Sequence, residues 1–317
     1  MTANRFRERL HDAWMLSLAP RLPSRLPWKT AYACYRALAR SPRLFSEAVD
    51  AAASIAPAHV PIADIDAFRH DARTTWLLET ADLYLSRRQP VDWLPAHVAI
   101  KGSWPAGAFI ALTFHYGTGL WLCRALRQAG HRSMFLSASF ERDEFAQRPW
   151  RYGYGAQRLR EVERIGGEPI AYRPGVRRTL LDALRRGSSV IGLIDIPPRL
   201  APRGQVGVRL LDQAASLPDG LLRLAIEAQV PIVPCWVDID FASGHRTVVI
   251  GDAQLPEPMG PVLADLAASL DRLVRTRPAA WMFWPEWNGW VRDAAREQAV
   301  ETFSNRDATG TLRTSGR

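Results

Sequence analysis

The sequence predicts an α/β fold: a mixed, mostly parallel sheet flanked by helices, with an N-terminal helical layer in front of it. Three observations carry that prediction. Continuous apolar runs at 107–113 (GAFIALT), 189–195 (SVIGLID) and 231–240 (PIVPCWVDID) have the length and content of buried strands. Helical stretches lie between them, at the spacing that puts helices on the faces of a sheet. The first hundred residues carry helical patterning and no strand pattern.

The elements follow in order. At the N-terminus Phe6, Leu10, Trp14 and Leu18 recur every four residues among Arg5, Arg7 and Arg9. Such a stripe suits a helix lying in a membrane interface, or one docked on its own domain. Residues 28–40 and 43–55 read as helices broken at Ser41-Pro42, and 66–88 as a third that stops at Gln89-Pro90. After the 107–113 strand a helix runs through Ala129 and is ended by Gly130. A short strand at 133–138 precedes a polar, Arg-, Gly- and Tyr-rich segment at 141–160. The stretch 176–186 sets Val176, Leu180 and Leu184 on one helical face and stops at Gly187. The 189–195 strand leads into a loop over 196–205, a helix over 219–229 and the 231–240 strand. A strand at 246–251, a helix at 262–275 and an aromatic run at 281–290 complete the pattern. Residues 303–317 are small and polar, the composition of a disordered tail. The chain is thus divided into a helical region over 1–100, membrane-associating on the first reading of its stripe, an α/β domain over 101–292, and that tail.

Composition narrows the function classes. With 317 residues, 47% hydrophobic and 23% charged, the chain can bury a sizeable core and is neither disordered nor fibrous. Its three cysteines, Cys34, Cys123 and Cys235, form no CxxC pair and no Cys/His ligand spacing, which argues against a disulfide framework or a zinc cluster and for a reducing compartment. The net charge is +9, and Lys29 and Lys101 are the only lysines among 41 basic residues. A positive field suits nucleic acid, an anionic membrane surface or an acidic partner. No nucleic-acid recognition motif is present, and nucleic acid is not expected as a partner. No apolar stretch reaches the roughly 18 residues of a membrane span.

His115 is the first candidate for chemistry. It follows a buried strand and precedes a helix, which places it at the carboxyl end of the sheet, where open α/β sheets bind ligands. A histidine there can serve as a general base, and Gly117 and Gly119 would let a substrate approach the backbone. Asp195 ends the 189–195 strand and is expected at the same mouth. The loop after it brings Arg199 and Arg203 to that edge, where they could hold an anionic head group or a phosphopantetheine phosphate. There is no GxSxG elbow, HExxH, P-loop or dinucleotide-binding glycine pattern.

Taken together, the order of elements resembles the bacterial lipid A biosynthesis lauroyl/myristoyl acyltransferases, within the lysophospholipid acyltransferase superfamily. The likeness spans about 25–290 and rests on His115-Tyr116-Gly117 after an apolar strand, Arg173 in a basic stretch, LLDALRRG, the strand ending in Asp195, DQAASLPDGLLRLAIEAQVPIVP and RTRPAAWMFWPEW. The resemblance implies acyl transfer from acyl carrier protein or acyl-CoA to a hydroxyl or amine of a membrane lipid acceptor. His115 would be the base, with Asp195 catalytic beside it. Tyr116, Gly117, Arg173 and Arg199 would bind substrate, and amides near Gly117 would hold the oxyanion. It implies no metal or other cofactor, and a peripheral place on the cytoplasmic face of the inner membrane. Trp281 and Trp284 are then expected in the core, and Trp287 and Trp290 at the lipid interface.

One position departs from the pattern. The family has His, four residues, then Asp or Glu, and here that position is Leu120. Either Asp195 or another carboxylate reaches His115 from a neighbouring strand end and the protein is active, or it is a catalytically silent member that binds lipid or carrier protein.

Overall fold

The structure is a computed structural model, and it describes residues 3–146 and 148–291. The N-terminal layer comprises α1 (Ala3–Ala13), a π-helical turn over Trp14–Leu18, α2 (Ala19–Arg21), α3 (Trp28–Leu38), α4 (Ser46–Ile55) and α5 (Ile65–Ser86). Helix α5 starts where the Asp64 carboxylate caps the N–H groups of Asp66 and Ala67. Then follow β1 (Val98–Lys101), β2 (Ile110–Thr113), α6 (Leu120–Gln128), β3 (Ser133–Ser137), α7 (Pro149–Gly166), β4 (Ala171–Tyr172), α8 (Arg177–Arg185) and β5 (Ser189–Leu193). The chain continues with β6 (Gln205–Leu210), β7 (Gln213–Pro218), α9 (Gly220–Ala228), β8 (Ile232–Ile239), β9 (Arg246–Ile250) and α10 (Met259–Thr276).

Seven strands form one sheet in the order β1-β9-β8-β2-β5-β3-β4. The β8–β9 pair is antiparallel and every other pairing is parallel, so the sheet is mixed and mostly parallel. Its central strands bury both faces. Ile110, Leu112 and Val190 pack into the layer with α8, α9 and α10, whereas Phe109, Ala111 and Ile191 pack into the layer with α6 and α7. The first layer also takes in Met15, Leu16 and residues of α4 and α5, so the N-terminal helices share a core with the sheet. No helix among the described residues is long and apolar enough to cross a membrane.

Three elements differ from the sequence expectation. The strand β1 lies inside the stretch read as helical. Only Val98 of its four residues is buried, so it carries no apolar run. The segment 141–160 was expected as polar connection, yet most of it belongs to α7. Gly153, Gly155 and the four arginines of the helix hide the helical period, while Pro149 starts the helix and Gly167, in the left-handed region, ends it. The β6–β7 hairpin fills a gap left between a loop and a helix. Its two-residue turn puts Leu211 and Asp212 at positive φ, a conformation for which Asn-Gly is the usual signal. The tail at 303–317 lies outside the described residues.

Candidate active site

Strand register alone brings the two leading residues together. The parallel pairing matches Thr113 of β2 with Leu193 of β5. Two residues further along each strand, His115 faces Asp195. The His115 Nδ1 lies 2.9 Å from Asp195 Oδ1. The His115 backbone N–H donates to both carboxylate oxygens, at 3.0 and 2.9 Å. The indole N–H of Trp281 donates to Oδ2 at 3.0 Å. Asp195 is fully buried, and these donors supply the solvation it gave up.

This arrangement decides the histidine's tautomer. An ionised carboxylate only accepts, so the proton sits on Nδ1 and Nε2 carries a free lone pair. Nε2 makes no hydrogen bond among the described residues, and the side chain keeps 25% exposure. Phe283 stacks on the other face of the imidazole, with centroids 3.8 Å apart and planes 13° from parallel. The backbone is clamped as well, because Met282 N–H donates to His115 O at 2.9 Å. The result is a rigid, oriented imidazole whose one open atom is basic. Leu120, five residues after His115, is wholly buried beside Trp121 and Phe109. The carboxylate that meets His115 comes from the adjacent strand.

The other expected site residues are placed as follows. Tyr116 sits inside the protein. It is buried, pairs with Trp281 as an isolated antiparallel bridge, and sets its hydroxyl beside Asp238 and Arg277. Gly117 is likewise structural. Its φ is +69°, a Cβ there would collide with the Val237 carbonyl oxygen, and its N–H donates to Ala280 O at 2.9 Å. That amide is occupied and holds no oxyanion. Gly119 differs, because open space lies where its Cβ would be and no protein acceptor takes its N–H among the described residues.

Arg199 is not free, since its guanidinium is paired with Glu286 in the aromatic segment. Arg173 follows β4 at the same edge of the sheet, two strand spacings or about 10 Å from the strand of Asp195. It is half-buried, burial lowers its pKa, and no carboxylate pairs with it among the described residues. An arginine stays charged through such a shift.

The expectation that Trp287 and Trp290 lie at a lipid interface fails, because all four tryptophans are buried. They pack mutually edge-on or tilted, with centroids 4.9–6.3 Å apart. Each indole N–H also has an internal acceptor: Asp195, Pro278 O, His59 Nε2 and Ser216 O. A satisfied N–H removes the reason for a tryptophan to seek the headgroup layer. Sequence reasoning missed Trp281 and Phe283 as neighbours of His115. They sit more than 160 residues beyond it in the chain, and no local spacing signals such a contact.

The chain matches no family model, and no curated protein matches it at a significant level.

Proposed function

We propose that the protein is a peripheral membrane acyltransferase that moves a fatty acyl group from an acyl carrier protein or coenzyme A thioester to a hydroxyl or amine of a lipid acceptor. The observation that carries this reading is the buried Asp195–His115 dyad with an open, basic Nε2 at the carboxyl edge of the sheet. It supplies the base such a transfer needs, and the order of motifs supplies the reaction class by resemblance.

In the first step the acceptor O–H or N–H gives its proton to His115 Nε2 while its heteroatom attacks the thioester carbonyl carbon. Asp195 takes no proton. It stabilises the imidazolium and keeps the ring in position. The carbonyl oxygen becomes an oxyanion, for which the uncommitted Gly119 N–H at the start of α6 is the candidate donor. Collapse breaks the C–S bond, and the departing thiolate recovers the proton from Nε2. Arg173, at the same edge, offers its guanidinium to a phosphate of donor or acceptor.

The N-terminal stripe supports membrane attachment. Leu10, Trp14 and Leu18 are 55%, 41% and 48% exposed, and Leu22 and Leu26 extend the stripe at 53% and 44%. The helix docks on its own domain through other residues, namely Met15, Leu16 and Ala19. The side chain of Phe6 lies outside the described residues. Five large apolar side chains in a row facing water, among arginines, suit an interfacial helix.

The test is release of free thiol from palmitoyl-CoA and from palmitoyl-acyl carrier protein in the presence of a total bacterial lipid extract, with mass spectrometry of the lipids. An acylated lipid that forms with the wild type and vanishes with His115→Ala is the expected result. Binding of donor or vesicles without any turnover would overturn the transferase reading in favour of a silent binding protein.

A further inference from the structure

A second site stands apart from the dyad. A cavity of about 1080 Å³ opens between the N-terminal helix, the end of α5 and the start of α7, and none of its lining residues belongs to the His115 site. Four arginines line it, Arg21, Arg25, Arg87 and Arg88. No carboxylate does. The buried and half-buried acids of the surrounding helices are already taken: Asp12 by Arg151, Glu79 by Arg158, Asp82 by Arg246 and Glu161 by Arg164. Of the four lining guanidiniums only Arg87 has a side-chain partner among the described residues, the neutral Gln157 amide. Four like charges around one cavity repel each other unless an anion sits among them.

We infer that this cavity binds a phosphate-bearing group, and that its source is the headgroup of an anionic membrane lipid. Arginine forks match phosphate oxygens in a bidentate way, and the cavity has the size of a site for a whole headgroup rather than a lone ion. Its position argues for the lipid. Arg21 and Arg25 alternate with the exposed Leu22 and Leu26 on the same short stretch of chain, and Trp150, 47% exposed, stands on the opposite wall. A lipid whose phosphate enters between the arginines would lay its acyl chains along the apolar stripe. Trp93, also in the wall, gives the headgroup an aromatic surface. The lipid source rests on the membrane docking proposed above, whereas the phosphate site stands on the cavity alone.

The experiment uses the full chain without any acyl donor. Binding is measured to phosphatidylcholine vesicles containing phosphatidic acid, and by calorimetry to soluble glycerol 3-phosphate. The variants are Arg87→Gln/Arg88→Gln, Arg87→Lys/Arg88→Lys, and Arg178→Gln/Arg272→Gln as a charge-matched control on α8 and α10. Both pocket pairs are exposed and should fold as the wild type does, which the melting temperature checks. The expected result is a roughly tenfold or greater loss of vesicle binding with the glutamine pair, a several-fold loss with the lysine pair, and no change with the control. Full binding by the lysine pair, or equal loss in the control, would mean diffuse charge attraction and would overturn the site. Arginine-dependent binding of glycerol 3-phosphate without vesicle binding would keep the phosphate site and overturn the lipid as its source.

Discussion

Asp195 accepts from His115 twice over, through backbone and ring, and from Trp281, with no Lys or Arg paired to it among the described residues. The charge is therefore held by oriented dipoles that also hold the imidazole. Asp195→Asn presents an NH₂ where one of these donors arrives, and the ring is forced towards the wrong tautomer. The expected fall in kcat is on the order of 10³ to 10⁴, read in a steady-state acyl-transfer assay. Trp281→Phe keeps the ring in the tryptophan cluster but deletes one donor. It should lower kcat about tenfold with KM little changed, and cost about 1–2 kcal/mol in urea denaturation. The two glycines separate in the opposite sense to their place in the motif. Gly117→Ala forces a side chain against Val237 O at positive φ and should unfold or severely destabilise the protein, while Gly119→Ala should leave the melting temperature within a few degrees of wild type. The candidate base and acid were legible because both end apolar strands. The role of Gly117 was not, because the crowding comes from β8, 120 residues further along.

Helix α5 is tied to strand β9 of the sheet by a buried polar group rather than by apolar contact alone. Asp82 and Arg246 are paired with both side chains at 0% exposure, Trp121 Nε1–H donates to Asp82 at 2.7 Å, and Arg246 lies 4.5 Å over the Trp28 ring. Asp82→Ala would strand the guanidinium in the interior, with an expected loss of about 3–5 kcal/mol. His97 belongs to the same cluster. It stacks on Trp28 at 3.7 Å, its Nε2 has no hydrogen-bond partner among the described residues, and burial with Arg246 and His245 nearby lowers its pKa to about 3. The folded state thus holds this histidine neutral where the unfolded chain, with a pKa of about 6.5, would protonate it. Its contribution is intact above about pH 6.5 and is lost as pH falls from there towards 3. Near pH 5 the loss should reach about 2 kcal/mol, and His97→Phe should flatten that slope in urea melts taken at pH 7 and 5. Elements with a clear period, such as α5, β2 and β5, were readable from the chain. The strand β1, helix α7 and the β6–β7 hairpin were not, since one is mostly exposed, one is masked by Gly and Arg, and one turns without the usual turn residues.

Over the whole molecule, the apolar N-terminal stripe and the +9 charge bear together on the proposed attachment to an anionic bilayer. Trp14→Ser/Leu18→Ser removes two exposed side chains and should leave stability within about 0.5 kcal/mol. In vesicle flotation the same variant should bind several-fold more weakly to neutral and anionic bilayers alike, because it removes apolar contact and no charge. Raised salt should weaken only the anionic binding of the wild type. An unchanged affinity in the variant would separate the stripe from membranes altogether.

By itself the sequence determined the α/β class, the central strands and the pair of polar residues at their ends, because apolar runs and their terminators are local signals. It also laid out the amphipathic stripe, since a four-residue period is written within a single helix. Tertiary structure decided everything that depends on residues far apart in the chain. The register of β2 against β5 made Asp195 the partner of His115, mutual packing took Trp287 and Trp290 into the core, and docking through Met15 and Leu16 left the stripe outside. Each of these is a choice of which surface meets which, and a hydrophobic side chain carries no mark of its eventual neighbour until the layers close.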